Sequence, residues 1–134
     1  MKGKLIILIV VGAFLCGGVA AYAHHSFAST YQEGETIQIE GAIAAFMFRN
    51  PHAFVHVMAP DENGETYRWS VEWGGTSQLG GQGVTRTTLK PGDVVIISGT
   101  PSWNVSNDHR IKMETLHRNS DGFGWGTRPG EVFD

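Results

Sequence analysis

Residues 52–59 read HAFVHVMA, in which alanine and valine occupy every second position. Successive side chains of an extended chain point to opposite faces, so this alternation predicts a β-strand with one face in a core. The other face holds His52, Phe54, His56 and Met58. Residues 60–64 read PDENG, and the Asn-Gly pair predicts a tight turn directly after the strand.

Two further strands are predicted on either side of this one. Glu35–Phe46 alternates before it, and Gly41 predicts a bulge or bend of the kind that a small barrel needs at its corners. Thr66–Trp73 follows the turn and places large apolar residues on one side, with Trp69 expected in the core. Residues 74–90 hold five glycines without alternation, so we expect a loop there with one or two short helices, including a helical turn at Thr85–Leu89.

The second half of the chain adds two more strands. Residues 90–93 read KPGD and predict a turn, Val94–Gly99 is typical of a strand buried on both faces, and Arg110–His117 is the last strand. We expect a polar loop over Gly99–Asp108 and an irregular tail from about residue 119. This order predicts an all-β fold, a small five-stranded OB-like barrel with a short helical connection between strands 3 and 4. Other five-stranded barrels and sandwiches fit the pattern nearly as well.

The N-terminus has the pattern of an export signal. Lys2 and Lys4 precede the apolar run Leu5–Leu15, and Ala21-Tyr22-Ala23 has the small-x-small form of a cleavage site. We therefore predict a cleaved signal over residues 1–23, a single domain over residues 24–134, and a periplasmic or secreted location. The apolar run is shorter than the roughly 20 residues of a spanning helix, which favours cleavage over an uncleaved anchor. Cys16 is the only cysteine, so the mature domain would have no disulfide or thiolate site.

The charge balance limits the classes of molecule that the protein is expected to bind. The chain has 10 Lys and Arg against 13 Asp and Glu, and two of the lysines lie in the predicted signal, which leaves a formal charge of −5 on the mature domain. With no basic cluster, nucleic acid and membrane surfaces are poor partners. No Ser-His-Asp, paired-carboxylate or nucleotide-binding signature is present, so we predict a protein that is not an enzyme.

The histidines are the best candidate ligands. Cleavage after Ala23 would make His24 the N-terminal residue, whose α-amine and imidazole can chelate one metal ion, and a second imidazole would complete a three-nitrogen site that suits Cu(II). His52 follows Asn50-Pro51 at the start of a strand and is the second candidate, with His25 or His117 as helpers. The alternatives are a disordered terminus, a turn-capping role for His52 and solvent exposure for His117.

The remaining polar candidates have plainer interpretations. His56 lies four strand residues from His52, about 13 Å, too far for a shared ion, so we expect a structural role. His109 lies in the polar loop and should be exposed. Glu72 either orients a histidine or is an exposed residue that pairs with Arg49 or Arg68, and we expect the second.

Four motifs in this order resemble those of a family of short exported bacterial proteins, domain-of-unknown-function family 6152. They are His24-His25-Ser26-Phe27, Asn50-Pro51-His52-Ala53, Trp69-x-x-Glu72 and Leu89-Lys90-Pro91-Gly92-Asp93. The resemblance extends to about Gly122, and the glycine-rich Gly74–Gly83 departs from it where the family has better helix formers. It implies an envelope location and no assigned activity, and it draws attention to His24, His25 and His52.

Three functions are compatible with these features. The first is an exported module that binds a metal ion, copper being favoured, and delivers, buffers or senses it for an envelope partner. The second is a metal-free barrel that binds a small ligand or a protein. The third, a copper-dependent redox enzyme, is the weakest because the sequence shows no sign of a shaped substrate surface.

Overall fold

The structure, a computed structural model, describes Met1 and residues 27–126. The chain forms two compact units, Met1–Tyr31 and Gln32–Asp134. In the first unit, residues 27–30 are helical, and the Phe27 and Tyr31 rings stack with their centroids 6.3 Å apart. The predicted cleavage site and both N-terminal histidines lie outside the described residues.

The second unit is a closed β-barrel, as the sequence predicts. Its described elements are β1 (Ile37–Met47), β2 (Phe54–Pro60), β3 (Thr66–Glu72), α1 (Thr76–Gly81), β4 (Val94–Pro101), α2 (Val105–Asp108), β5 (Arg110–Arg118) and β6 (Phe123–Trp125). The strand order is β3-β2-β1-β4-β5-β6, with antiparallel neighbours. A parallel pairing of β3 with β5 closes the first five strands into the OB-like barrel.

The core lies inside this barrel and follows the alternation of the strands. Val55, Val57 and Ala59 of β2 have no exposed surface, whereas Phe54 and His56 between them are half-buried and Met58 is exposed. Trp69 is buried as predicted, and its indole N–H donates to the carbonyl of Ala59 at 3.1 Å. The predicted faces of β2 are therefore confirmed.

The predicted bulge in β1 is present, but it lies two to four residues after Gly41 rather than at it. The register of β1 against β2 shifts between Ile43 and Ala45, which is the bulge. At that point the Gly92 amide donates to the Ile43 carbonyl and the Ile43 amide donates to the Asp93 carbonyl, each at 2.8 Å. Gly41 serves another purpose, since a side chain there would overlap the backbone carbonyl of Met58 on β2.

The short helix expected in the glycine-rich segment forms as α1, anchored by the fully buried Leu79, and Thr85–Leu89 contains a hydrogen-bonded turn. Three other elements differ from the prediction. Strand β4 runs two residues further, to Pro101, and α2 occupies part of the predicted polar loop. The chain after Arg118 forms the short strand β6, which pairs with β5.

Gly41→Ala should lower the free energy of unfolding by roughly 1–3 kcal/mol, because the added methyl group forces β1 and β2 apart. Gly80→Ala is the matched control: nothing lies within 4 Å of a side chain at this position of α1. That change should raise stability by about 0.5–1 kcal/mol, since glycine is a poor helix former. Denaturant unfolding of both variants measures the difference, and equal effects would contradict this account of Gly41.

Candidate functional site

The segment Asn50-Pro51-His52 lies between β1 and β2. Hydrogen bonds to the segment that leads into α1 hold it in place. The Asn50 Oδ1 atom accepts hydrogen bonds from the amide and the hydroxyl of Thr76, both at 2.9 Å, at the start of α1. The amide of Ala53 donates to the carbonyl of Gly74 at 3.0 Å. The Asn50-Pro51 peptide bond is cis. These contacts fix the backbone on both sides of His52 and place its ring beside the end of β3.

The ring of His52 contacts a buried carboxylate. Its Nδ1 atom lies 2.5 Å from Glu72 Oε1, and the other oxygen, Oε2, accepts a hydrogen bond from Arg110 Nη2 at 2.6 Å. The side chain of Glu72 is 7% exposed, whereas those of His52 and Arg110 are 36% and 37% exposed. We call these three residues the His52–Glu72–Arg110 cluster.

The expectation that Glu72 is exposed and pairs with Arg49 or Arg68 is wrong. Glu72 is out of phase with the core residues of β3, as the alternation indicates, but it is buried on the outer side of the barrel. The residues that cover it come from the loop before β2 and from the start of β5. The structure therefore favours the alternative interpretation, in which Glu72 orients a histidine.

This pairing determines which histidine nitrogen can act as a ligand. A carboxylate accepts hydrogen bonds only, so contact with Glu72 places a proton on Nδ1 of His52. In the neutral ring the lone pair is then on Nε2, the nitrogen that would bind a metal or accept a proton. Carboxylates orient the histidine ligands of many metal sites through the same kind of contact.

The aromatic ring of Phe54, close to two guanidinium groups, adjoins the cluster. The Cζ atom of Arg49 lies 5.5 Å from the centroid of the Phe54 ring, and that of Arg110 lies 5.7 Å from it. These distances are in the range of cation–π contacts. Together with the cluster, these side chains form a polar surface on the outside of β2 and β3, the face that OB-folds use for ligands.

His56 lies on the same outer face, two residues beyond Phe54. Partial burial lowers its pKa, the positive charges of Arg68 and Arg49 lower it further, and a backbone hydrogen bond with Trp69 opposes the shift without reversing it. The Nδ1 atom of His56 is buried and has no hydrogen-bond partner among the described residues. Both features favour the neutral ring and agree with a structural role.

Of the other predicted ligands, the structure describes only His117, and it does not bring this residue to His52. His117 lies on β5, where it pairs with Ile96 and Gly124, seven residues beyond Arg110 and roughly 23 Å along the strand. His24 and His25 lie outside the described residues. Among the residues that are described, no group of three or more His, Cys, Asp or Glu side chains is arranged to hold a metal ion.

The expectation that His109 is exposed is wrong. It directly precedes β5 in the left-handed conformation, with φ of 46°, and is 8% exposed. Its ring stacks on that of Tyr67 at a centroid distance of 4.0 Å and meets the Trp69 ring edge-on at 5.1 Å. The sequence does not indicate that His109 is buried, because its two aromatic partners come from β3, some forty positions earlier in the chain.

Residues 13–110 match a protein family described as a family of unknown function (DUF6152). The match covers more than half of the chain, which confirms the resemblance indicated by the sequence motifs. No curated protein and no solved structure matches the chain in the same comparisons. Among the described residues, no helix has the length and apolar character needed to cross a membrane.

Glu72→Gln should lower the free energy of unfolding by about 1–3 kcal/mol, because an amide cannot serve both His52 and Arg110 as the buried carboxylate does. Glu35→Gln removes the same charge at an exposed position and should change stability by less than about 0.5 kcal/mol. Denaturant unfolding of the two variants is the measurement. Equal losses would show that the buried carboxylate has no special role.

His56 should make the protein less stable in mild acid. Its pKa in the folded state lies below the ordinary value of 6.5, so the unfolded chain binds the proton more readily. This histidine contributes no pH dependence well above pH 6.5, and its destabilising effect grows as the pH falls through that value. The wild type should therefore lose more stability than His56→Gln between about pH 7.5 and about pH 5.

Arg68→Gln provides the control for the electrostatic part of this effect. Because the charge of Arg68 lowers the pKa of His56, its removal should give an acid-induced loss between those of the wild type and His56→Gln. Unfolding curves at several pH values test the order. Identical pH profiles for all three proteins would rule out the effect.

Proposed function

We propose that this chain, which belongs to the DUF6152 family of unknown function, is an exported module that binds one metal ion, with copper favoured. His52 is the ligand on the barrel, and the N-terminal His24 supplies the others. The module carries the ion for a partner in the cell envelope and catalyses no reaction of its own. The apolar leader with its small-x-small end supports the exported location.

The observation that carries this proposal is the contact between His52 and Glu72. Histidines that bind metals generally donate their second ring N–H to a carboxylate, a carbonyl or water, which fixes the orientation of the ring. Here the carboxylate is buried and is itself held by Arg110 at 2.6 Å. With Nδ1 engaged by Glu72, Nε2 is the nitrogen that would coordinate a metal, in a side chain that is 36% exposed.

The donor chemistry fits Cu(II) once the N-terminus is included. In this proposal the further donors belong to the segment before residue 27. If cleavage follows Ala23, the α-amine and imidazole of His24 add two nitrogen donors to Nε2 of His52. Three nitrogen donors suit Cu(II), and His25 is a further candidate ligand. His117 drops out of this set because of its place at the far end of β5.

A metal-free binding barrel is the second candidate, and the Phe54 ring favours it. The guanidinium groups of Arg49 and Arg110, 5.5 and 5.7 Å from that ring, would suit a planar anion stacked on the outer face. Copper binding by the exported protein separates the two functions. If the protein begins at His24 and retains no copper, this second candidate becomes the better account.

The test uses protein exported with its own leader, so that the cell produces the natural N-terminus, and mass spectrometry to identify the first residue. Cu(II) is then titrated in competition with nitrilotriacetate while the nitrogen hyperfine pattern is followed by electron paramagnetic resonance. We expect one tightly bound copper per chain. His52→Ala should weaken binding and remove one nitrogen from the spectrum, and Glu72→Gln should weaken binding by about 10- to 100-fold.

Two further variants complete the design. His117→Ala is the matched control and should leave copper affinity unchanged, because this histidine lies roughly 23 Å along β5 from the cluster. His24→Ala should weaken binding as His52→Ala does. Wild-type affinity in His52→Ala would show that the N-terminus binds copper by itself and would refute the proposed role of the barrel.

A further inference from the structure

A cavity of about 430 Å³ lies where β1 begins and the turn joins β2 to β3. Its volume is within the range of sites that enclose a small organic molecule. Ile37 and Trp69 of the strands and Val105 of α2 provide apolar walls. The cavity shares no residue with the His52–Glu72–Arg110 cluster, and the Pro60 end of β2 lies eight residues, roughly 26 Å of extended chain, from His52.

The polar wall of this cavity is acidic. Glu40, Asp61 and Glu62 contribute to it, and no Lys or Arg is among the described residues that line it. Desolvation raises the pKa of Asp61, but hydrogen bonds from the amides of Glu65 and Asn63 outweigh it and lower the pKa overall. Asp61 is therefore ionised at neutral pH, and the cavity favours a positively charged occupant.

His109 supplies an independent sign of a ligand. It lines the cavity, is 8% exposed, and its buried Nε2 atom has no hydrogen-bond partner among the described residues. Buried polar atoms in folded proteins are nearly always paired, and an exception calls for an explanation. With the proton on Nδ1, Nε2 is an acceptor, and a ligand that donates an N–H would provide the missing partner.

We propose that this cavity binds a small organic cation, an ammonium or guanidinium group on an apolar body. The cationic group lies among Glu40, Asp61 and Glu62 and donates one N–H to Nε2 of His109. The apolar body packs against Trp69 and its aliphatic neighbours. This is a second site, independent of copper, so it is tested on metal-free protein in the presence of EDTA.

The experiment compares three probes of one shape and different charge. Phenethylamine, 2-phenylethanol and phenylacetate are each titrated into the full chain labelled at isoleucine, leucine and valine methyl groups, with chemical shifts read by NMR. Phenethylamine should bind saturably and shift the methyl resonances of Ile37, Ile39 and Val105. The neutral alcohol should bind at least about fivefold more weakly, and the anionic phenylacetate should cause no shifts there.

Charge-neutralising variants test the acidic wall without touching the core. The double variant Glu40→Gln/Glu62→Gln should weaken phenethylamine binding at least about fivefold, whereas Glu33→Gln, an exposed change outside the cavity, should not. His109→Asn removes the acceptor while keeping a residue that tolerates the left-handed conformation, and it should also weaken binding.

Four results would overturn the proposal. They are the absence of methyl shifts up to about 10 mM phenethylamine, equal binding of the amine and phenylacetate, shifts confined to other surfaces, and an unchanged affinity in the double glutamate variant. None of them depends on whether the protein binds copper, so the two proposals succeed or fail separately.

Discussion

The parallel pairing of β3 with β5 is the constraint on which the barrel depends. It joins only three residue pairs, Ser70 with Arg110, Val71 with Ile111 and Glu72 with Lys112. The carboxylate of Glu72 lies at this seam and bonds to Arg110 on one side and to His52 on the other. A short run of backbone pairing is thus reinforced by charged hydrogen bonds, which are stronger than neutral ones. The carboxylate that reinforces this closure also contacts the candidate ligand, His52.

The motifs that characterise the chain have two roles: some stabilise the fold, and others form the candidate site. The turn at residues 90–93 is structural: its backbone bonds to Ile43 of β1, and the side chain of Asp93 accepts hydrogen bonds from the Lys90 amide and from Arg118. The segment Asn50-Pro51-His52 has both roles, since Asn50 fastens the loop to α1 and His52 faces the buried carboxylate. Of the two motif residues on β3, Trp69 belongs to the core and Glu72 to the candidate site, and they lie on opposite faces of the strand.

The parts of the structure that sequence predicts well are those decided by neighbours in the chain. The alternation in β2, the Asn-Gly turn and the apolar run of β4 all report local burial, and the strand order follows from them. The burial of Glu72 and of His109 depends on side chains that other strands bring into contact, so alternation alone places Glu72 on the surface. The helix α1 forms against its glycine content because Leu79 is buried, a tertiary effect that outweighs local propensity. Residues 2–26 contain the proposed N-terminal ligand and lie outside what the structure describes.

The short strand β6 has a bearing on how this protein behaves at high concentration. Beyond the seam with β3, the same edge of β5 would present unpaired backbone amides and carbonyls, and Phe123–Trp125 covers part of it by pairing with Leu116, His117 and Arg118. Trp125 anchors the strand through its edge-on contact with Trp73, 5.1 Å between ring centroids, and through a hydrogen bond to Gln82. Open strand edges are templates for sheet-to-sheet aggregation, and natural proteins shield them with short covering elements. Three residues between two glycines in the left-handed conformation, Gly122 and Gly126, thus cover part of an edge with which another chain could otherwise pair.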